Sequence, residues 1–501
     1  MKRTLCVVLA AGFLSLELVA QDAASVIDAA AKAMGTTGLQ SIQYSGTGTN
    51  NSLGQAPQPG GPWPRFRVTK YVASINYTGP IMRTEVVRID SERPPRGGGA
   101  GPFNAQTGQG GIRPIPGDII QNQTLDGKNE NGALNIWLTP HGFLKGAAAN
   151  SATAKVATAR GKKTVSFSAF GKYTITGTIN DQNLVEHVET KTYNNFTGDT
   201  LVEGLYSDYR DFPSTALGAS GVVKFPMRIV MKQGGHPTLE LAVASVTPNS
   251  PAALDVRANP PRGGGPGGGA AGGPAGGGVQ IKADTIADGV WFLTSGAPQT
   301  ILVEFSDHVV LIEGPTNDDR TMATIAEAKR MLPNKPIKYL VNTHHHSDHA
   351  GGIRAYAAEG IPIITHELQR RYYEQQIFKS PHTLNQDRLA RAPKAPVFET
   401  VKDKRVLTDG TRTLELHLMR GNLHSEGLLM AYLPKEKILI QADAFAPRPG
   451  VPPLPAPSPY TVNLVENIDR LKLDVERVVH VHGGSDPIAT VRAAAGRSPT
   501  E

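Results

Sequence analysis

The chain has a single cysteine in 501 residues, Cys6, so it can build no disulfide framework of its own. Long apolar runs are missing too. Beyond the short stretch Leu5 to Leu14, nothing approaches the eighteen or so apolar residues that a membrane-spanning helix needs. Charge is sparse: 19% of residues are charged, and the net charge of +7 comes without a dense Lys/Arg run. That excludes a nucleic-acid groove and leaves the basicity as solvated surface. Glycine and proline are plentiful instead, 54 and 38 residues, a mark of long loops. The N-terminus has the layout of a cleaved signal peptide over residues 1–20: Lys2-Arg3, the apolar core, then Leu18-Val19-Ala20 before Gln21. Cys6 lies inside that core and is no lipid-anchor cysteine. The expected location is the periplasm or the cell exterior.

Length allows two or three domains. From Arg257 to Gly278 a glycine, alanine and proline tract cannot bury apolar surface and reads as a linker. Residues 22–256 before it form a separate unit, expected to be an antiparallel β-rich α+β domain. Asp22 to Met34 reads as its one helix, capped by Asp22 and closed by Gly35. The period then switches to two, with candidate strands Arg65 to Val72, Lys172 to Ile179, Asn183 to Thr190 and Leu239 to Val246, and a turn at Asn180-Asp181. Such a half-barrel either holds an apolar ligand or packs against its neighbour, packing being the commoner role. Loops 52–64 and 93–116 are Gly/Pro-rich and expected to be mobile. His141, His187 and His236 default to surface or structural roles.

The densest chemical signal is His344-His345-His346-Ser347-Asp348-His349. It follows an apolar run, Ile337 to Asn342, that reads as a buried strand, and Ala350-Gly351-Gly352 leads into a helix from Ile353 to Glu359. The run therefore sits on the loop leaving a strand's carboxyl end, where open α/β sheets build their sites. Imidazole and carboxylate are ligand types that zinc prefers.

This stretch resembles the H-x-H-x-D-H motif of the metallo-β-lactamase superfamily, and the resemblance runs through the C-terminal part of the chain, with the domain placed at residues 279–495. The strands Asp288 to Leu293, Thr300 to Phe305 and Val309 to Ile312 are similar to the opening of that family's αββα sandwich. Gly421-Asn422-Leu423-His424 resembles its G-x-x-H segment. The strand Lys437 to Gln441 leads to Ala442-Asp443, where the family has G-D. Val478 to Gly484 resembles the last ligand segment, with His482 taken in preference to His480 because it abuts the glycines. The resemblance implies two zinc ions per chain: His344, His346 and His424 on one, Asp348, His349 and His482 on the other, and Asp443 between them. It further implies a hydrolase in which a metal-bridging hydroxide attacks an ester, lactone, thioester, amide or phosphodiester, with Asp348 orienting the nucleophile. The implied partner is a small-molecule substrate; the sequence does not fix the oligomeric state.

Departures narrow the choice. His346 stands where iron-dependent oxygen and nitric-oxide reductases of the superfamily carry glutamate. Asp443 stands where cysteine-dependent β-lactamases need a thiolate. The bridging carboxylate is instead similar to the glyoxalase II, lactonase, phosphodiesterase and sulfatase branches, and no single branch is singled out. The alternatives are a β-lactamase without the cysteine ligand, or a non-catalytic metal- or ligand-binding envelope protein on the same fold. His345 is expected behind the ligands, and His417 in core or surface. His366 is expected to face substrate or cap its strand, and Glu367 to Phe378, with His382, to form a lid. Ala446 to Tyr460 is a second lid candidate, with Tyr460 aimed inward.

Overall fold

The computed structural model describes residues 22–92, 94–98, 101–104, 109–111, 118–159, 162–214, 221–257, 278–445 and 456–498. The signal-peptide reading lies outside them, as do all but the ends of the linker tract and most of the Ala446–Tyr460 segment.

The front part is built on one eleven-stranded sheet. Its strand order is Ile119–Asp126, Ile81–Asp90, Arg65–Asn76, Ser41–Asn51, His236–Pro248, Val222–Gln233, Gly198–Pro213, Val185–Asn194, Tyr173–Ile179, Lys162–Ala169 and Lys155–Ala159. Every pairing is antiparallel. The four candidate strands fall on strands of this sheet, and the turn between Ile179 and Val185 is closed by Asn183 at φ 58°. The chain returns its last strand, His236–Pro248, beside its first, so the middle of the sheet joins residues some two hundred positions apart.

Among the described residues, three helices of more than one turn cover this sheet, not one: Ala23–Met34, Glu130–Trp137 and Pro140–Ala149. The first ends as expected at Gly35 in the left-handed region (φ 71°), but the Asp22 side chain makes no capping bond. The other two are capped by Asn129 and Thr139, which accept from the amides of Gly132 and Gly142. Val26, Ile27, Met34, Phe143, Leu144 and Ala147 pack with Phe167, Ile175 and Phe225 of the sheet into one buried core.

His141 is completely buried in this core, with Nδ1 2.8 Å from the Thr36 hydroxyl and Nε2 3.0 Å from the Lys224 carbonyl. Burial pushes its pKa down to about 4. An unfolded histidine titrates near 6.5, so the neutral ring's contribution is fully present above about pH 6.5 and is lost as pH falls toward 4, about 3 kcal/mol in all. His141→Gln is expected to flatten the pH dependence of urea unfolding between pH 7 and 4.5; an unchanged slope would show that other groups set it. His187 pairs with Glu203 (3.3 Å) and His236 packs on Trp63 (5.3 Å), both structural.

The C-terminal part is two stacked sheets. Seven strands run in the order Lys282–Ala287, Val290–Thr294, Thr300–Glu304, Val309–Ile312, Ile337–Val341, Ile363–His366 and Phe398–Val401. Six more run Lys404–Thr408, Thr413–Leu418, Leu429–Leu433, Ile438–Gln441, Arg477–His480 and Ser485–Pro487. Val290, Ile301, Val310, Ile312 and Val341 of the first sheet meet Leu416, Leu429, Ile440 and Val479 of the second in a dry inner layer. Helices Asp318–Met331 and Ile353–Glu359 cover the outside of the first sheet, and Pro459–Leu471 the outside of the second. This is an α/β αββα sandwich, and both sheets direct strand ends to the same edge. Among the described residues, no helix is long and apolar enough to cross a membrane.

Candidate metal centre

The histidine-rich stretch leaves Ile337–Val341, which lies parallel between two neighbours in the first sheet. Its backbone is pinned before the first histidine. The Asn342 amide donates to the His349 carbonyl (3.2 Å) and accepts from the Tyr373 hydroxyl (2.5 Å), while the Thr343 hydroxyl donates to Glu313. The chain then turns into the short helix Ser347–Ala350.

The structure brings all seven candidate residues together. Ligand-type atoms of His344, His346 and His424 lie within 4.8 Å of one another, as do those of Asp348, His349 and His482. Asp443 sits between the groups: Oδ2 is 3.4 Å from His344, 3.7 Å from His424 and 2.7 Å from His349, and Oδ1 is 3.1 Å from His482. Asp443 itself takes φ 62°, a left-handed backbone that aspartate tolerates better than most residues. Gln441 stabilises that turn by accepting from the amides of Ala444 and Phe445 (3.0 and 3.3 Å). His480 is turned away, 2.8 Å from the Gln441 amide and 3.0 Å from Asp486, so His482 is the histidine that faces the cluster.

The cluster is almost dry. His344, His346 and His349 have no exposed surface, and His424 and Asp443 only 1% and 2%. Yet His344 Nε2, His346 Nδ1 and both ring nitrogens of His424 have no hydrogen-bond partner, and Asp443 Oδ2 has only the His349 ring within 3 Å. Nε2 of His349 and Nε2 of His482 face each other at 2.9 Å. Buried polar atoms without partners are rare and costly. So many convergent lone pairs around one carboxylate fit a bound cation, and the nitrogen and oxygen donors fit zinc.

Electrostatics agree with that fit. Burial, aided by the other rings, pushes His344 well below its ordinary pKa and His424 down to about 3, leaving both rings neutral for metal. Burial opposes ionisation of Asp443, but His349, His482 and His424 outweigh it and hold the carboxyl well below its usual range. His349 moves the other way: burial disfavours its charge, yet Asp443, Asp348 and Glu313 raise its pKa well above normal. A metal binding there displaces that proton, so affinity falls with falling pH.

The front domain forms a roof over this centre, a feature the sequence did not announce. Loop 52–64, expected to be mobile, is anchored on the motif. The Ala56 carbonyl accepts from His346 Nε2 (2.8 Å), the Gln55 side-chain amide donates to Asp348 Oδ1 (2.9 Å), and the Gly54 carbonyl accepts from the Ser347 amide (3.3 Å). Pro57 accepts from the Glu426 amide (2.7 Å), and Gly97 donates to the Leu423 carbonyl (2.8 Å). Beside it, a Cβ at Gly98 would stand 3.1 Å from His424. Tyr460 does point inward: its hydroxyl donates to the Gly97 carbonyl (2.7 Å) and its ring meets His424 edge-on.

His345 is buried behind the ligands, beside the Ser425 hydroxyl (3.2 Å). His366 does not face the site; it caps the helix Glu367–Tyr372 by accepting from the Leu368 amide, with Nε2 on the Lys402 carbonyl (3.1 Å). His417 is buried against Glu415. His382 and Tyr373 are buried, so this segment is a packed wall and not an open lid.

Two sheets in an αββα sandwich, with metal-type ligands at one edge, define the class of the C-terminal domain. Residues 293–482 match the family model of the metallo-beta-lactamase superfamily, and the domain has that superfamily's fold. The 2,4-dinitroanisole O-demethylase subunit alpha of Nocardioides sp. (strain JS1661) is 24% identical over 159 residues, 31% of this chain. The chain spans 43% of the length of that curated relative. Similar solved structures include a metallo-beta-lactamase from Pontibacter korlensis, 20% identical, covering 43% of this chain and 98% of that one with a TM-score of 0.34. The metallo-beta-lactamase FIM-1 from Pseudomonas aeruginosa in its mono-zinc form is 20% identical, covering 44% and 95% with a TM-score of 0.32.

Proposed function

We propose that the protein is a dinuclear zinc hydrolase acting on a small molecule with an ester, lactone, thioester, amide or phosphodiester bond, in the periplasm or outside the cell. The observation that carries this reading is the division of six ligand-type residues into two close triads, with Asp443 reaching both. Zinc held here would bring the pKa of a bound water to about 7 and polarise the substrate oxygen. The chain's own part is orientation and exclusion of bulk water. Asp348 is held by Gln55 through Oδ1, which leaves Oδ2 beside His349 (3.4 Å) to orient the attacking water and to take up and return its proton. The His344 and His424 rings stay neutral, and the front-domain loop seals one side of the centre.

Elemental analysis of protein purified without added metal is expected to give about two zinc per chain, with turnover of at least one of an ester, a lactone, a β-lactam, a phosphodiester or 2,4-dinitroanisole. Tightly held iron would move the chemistry to redox, and no metal even after reconstitution would sink the proposal.

The roof makes a separate prediction. Outer partners of metal ligands typically contribute 10- to 100-fold in affinity. Gln55→Ala is therefore expected to weaken metal binding by roughly that factor, read by chelator competition and by a shifted visible spectrum of the cobalt form. The metal-free protein should unfold at the same temperature as the parent. Unchanged affinity would show that the loop covers the ligands without positioning them.

A further inference from the structure

A cavity of about 390 Å³ lies between the front sheet and the turn joining helices Glu130–Trp137 and Pro140–Ala149. Protein interiors pack to crystal-like density and hold few voids larger than a water molecule, so a space of this size is of the kind that holds a ligand. Its floor is apolar and aromatic: Tyr44 packs on Phe225 at 4.9 Å and on Tyr71 at 6.1 Å, with Met82, Val86 and Ile229 beside them, all buried. Asn50, Asn51, Gln123, Asn135 and Gln233 also line it. None of the described residues lining it is charged, in a chain where 19% of residues are.

The cavity has a neighbour. Leu53 and Gln233 also line a second cavity of about 290 Å³ between the two domains, which reaches Ser347 between His346 and Asp348. Leu53 opens the loop whose next three residues touch Ser347, Asp348 and His346. One short segment thus joins the apolar cavity to the metal centre.

We propose that the front-domain cavity binds the apolar chain of an uncharged amphiphile, and that the bond cleaved at the metal centre belongs to such a molecule: a neutral ester, lactone or amide carrying a long apolar chain. The floor takes the chain and the uncharged polar residues of the lining take carbonyl and hydroxyl groups. A charged head cannot sit in the cavity, because burying an ion without a partner is far more costly than burying a hydrogen-bonded neutral group. The assignment of the cavity rests on its own lining; the substrate class rests on the hydrolase reading.

The binding step is tested first on the metal-free full chain, so it stands or falls independently of the centre. Titration calorimetry with 1-decanoyl glycerol is expected to show saturable one-to-one binding. Affinity should rise on the order of fourfold per added CH₂ from the octanoyl to the decanoyl chain. Decanoate, with its carboxylate, is expected to bind at least tenfold more weakly. Thr84→Trp and Leu239→Trp, at partly exposed wall positions, are expected to fill the cavity and weaken binding at least tenfold with unchanged circular dichroism. A diazirine-tagged decanoyl glycerol should label peptides containing Met82 or Met231, which reports on the native chain even where a variant fails to fold. No saturable binding, equal affinity for decanoate, undiminished binding by both folded variants, or label confined to the C-terminal domain would each overturn the proposal. With binding established, zinc-loaded enzyme should hydrolyse 4-nitrophenyl decanoate in preference to the acetate, and Leu239→Trp should erase that preference. A preference that survives in Leu239→Trp overturns the link between cavity and centre and leaves the cavity itself standing.

Discussion

Asp443→Asn is expected to lower both metal content and turnover, the latter on the order of 10³-fold, since metal-centred charge stabilisation contributes several kcal/mol and each 1.36 kcal/mol is a factor of ten. The substitution isolates charge from shape. Asparagine fits the space and, like aspartate, accepts the left-handed backbone at φ 62° that alanine would strain. What it removes is a carboxylate that lies within 3.7 Å of all four of His344, His349, His424 and His482. Elemental analysis of the variant should show fewer metal equivalents than the parent. Normal metal content with normal turnover would place the bridging group elsewhere.

How much of this could be read in advance depended on distance along the chain. His344 to His349 lie within six residues, so their chemistry is local. Asp443 follows the apolar run Ile438 to Gln441, and strand ends are where sandwiches of this kind gather their ligands. His480 and His482 could not be separated by alternation, because residues two apart share a strand face. The difference lies in tertiary partners: Gln441 and Asp486 occupy His480. The roof was invisible for the same reason. Gln55 and Ala56 lie about three hundred residues from the motif, in a Gly/Pro-rich loop whose composition suggests mobility, and only the packed chain reveals its hydrogen bonds. Helices Glu130–Trp137 and Pro140–Ala149 each contain glycine or asparagine, residues of low helix propensity, and owe their stability to the core they bury. His366 was undecided in sequence because one side chain at a strand end either reaches the site or caps the next helix.

The largest expected loss of stability comes from a buried ion pair that supports the motif from behind. Arg354 lies on the helix directly after the histidines, and its guanidinium forks onto Asp387, Nη2 meeting Oδ1 at 3.1 Å and Nε meeting Oδ2, with 5% and 4% of the two side chains exposed. Nη1 donates to the Ile377 carbonyl (3.2 Å), and Asp387 also caps the helix Arg388–Arg391 through the Ala390 amide (2.7 Å). Asp387→Ala leaves a buried cation without its partner, which typically costs 3–5 kcal/mol and lowers the melting temperature by roughly 10 °C in a domain of this size. Arg354→Leu with Asp387→Leu should be less destabilised than Asp387→Ala, because no charge is left stranded. Acid should act through the same pair. Burial opposes the charge on Asp387, but Arg354 and the Ala390 amide outweigh it and hold its pKa below normal. Its contribution is therefore present above an unfolded value near 3.9 and is lost as pH falls through the lower folded one. A thermal scan series from pH 7 to 2 should show the parent and Asp387→Ala converging at the acid end. Parallel curves throughout would mean the pair is structurally present and energetically silent. A melting loss accompanied by weaker metal binding would place the helix Ile353–Glu359 among the elements that hold the ligands in register.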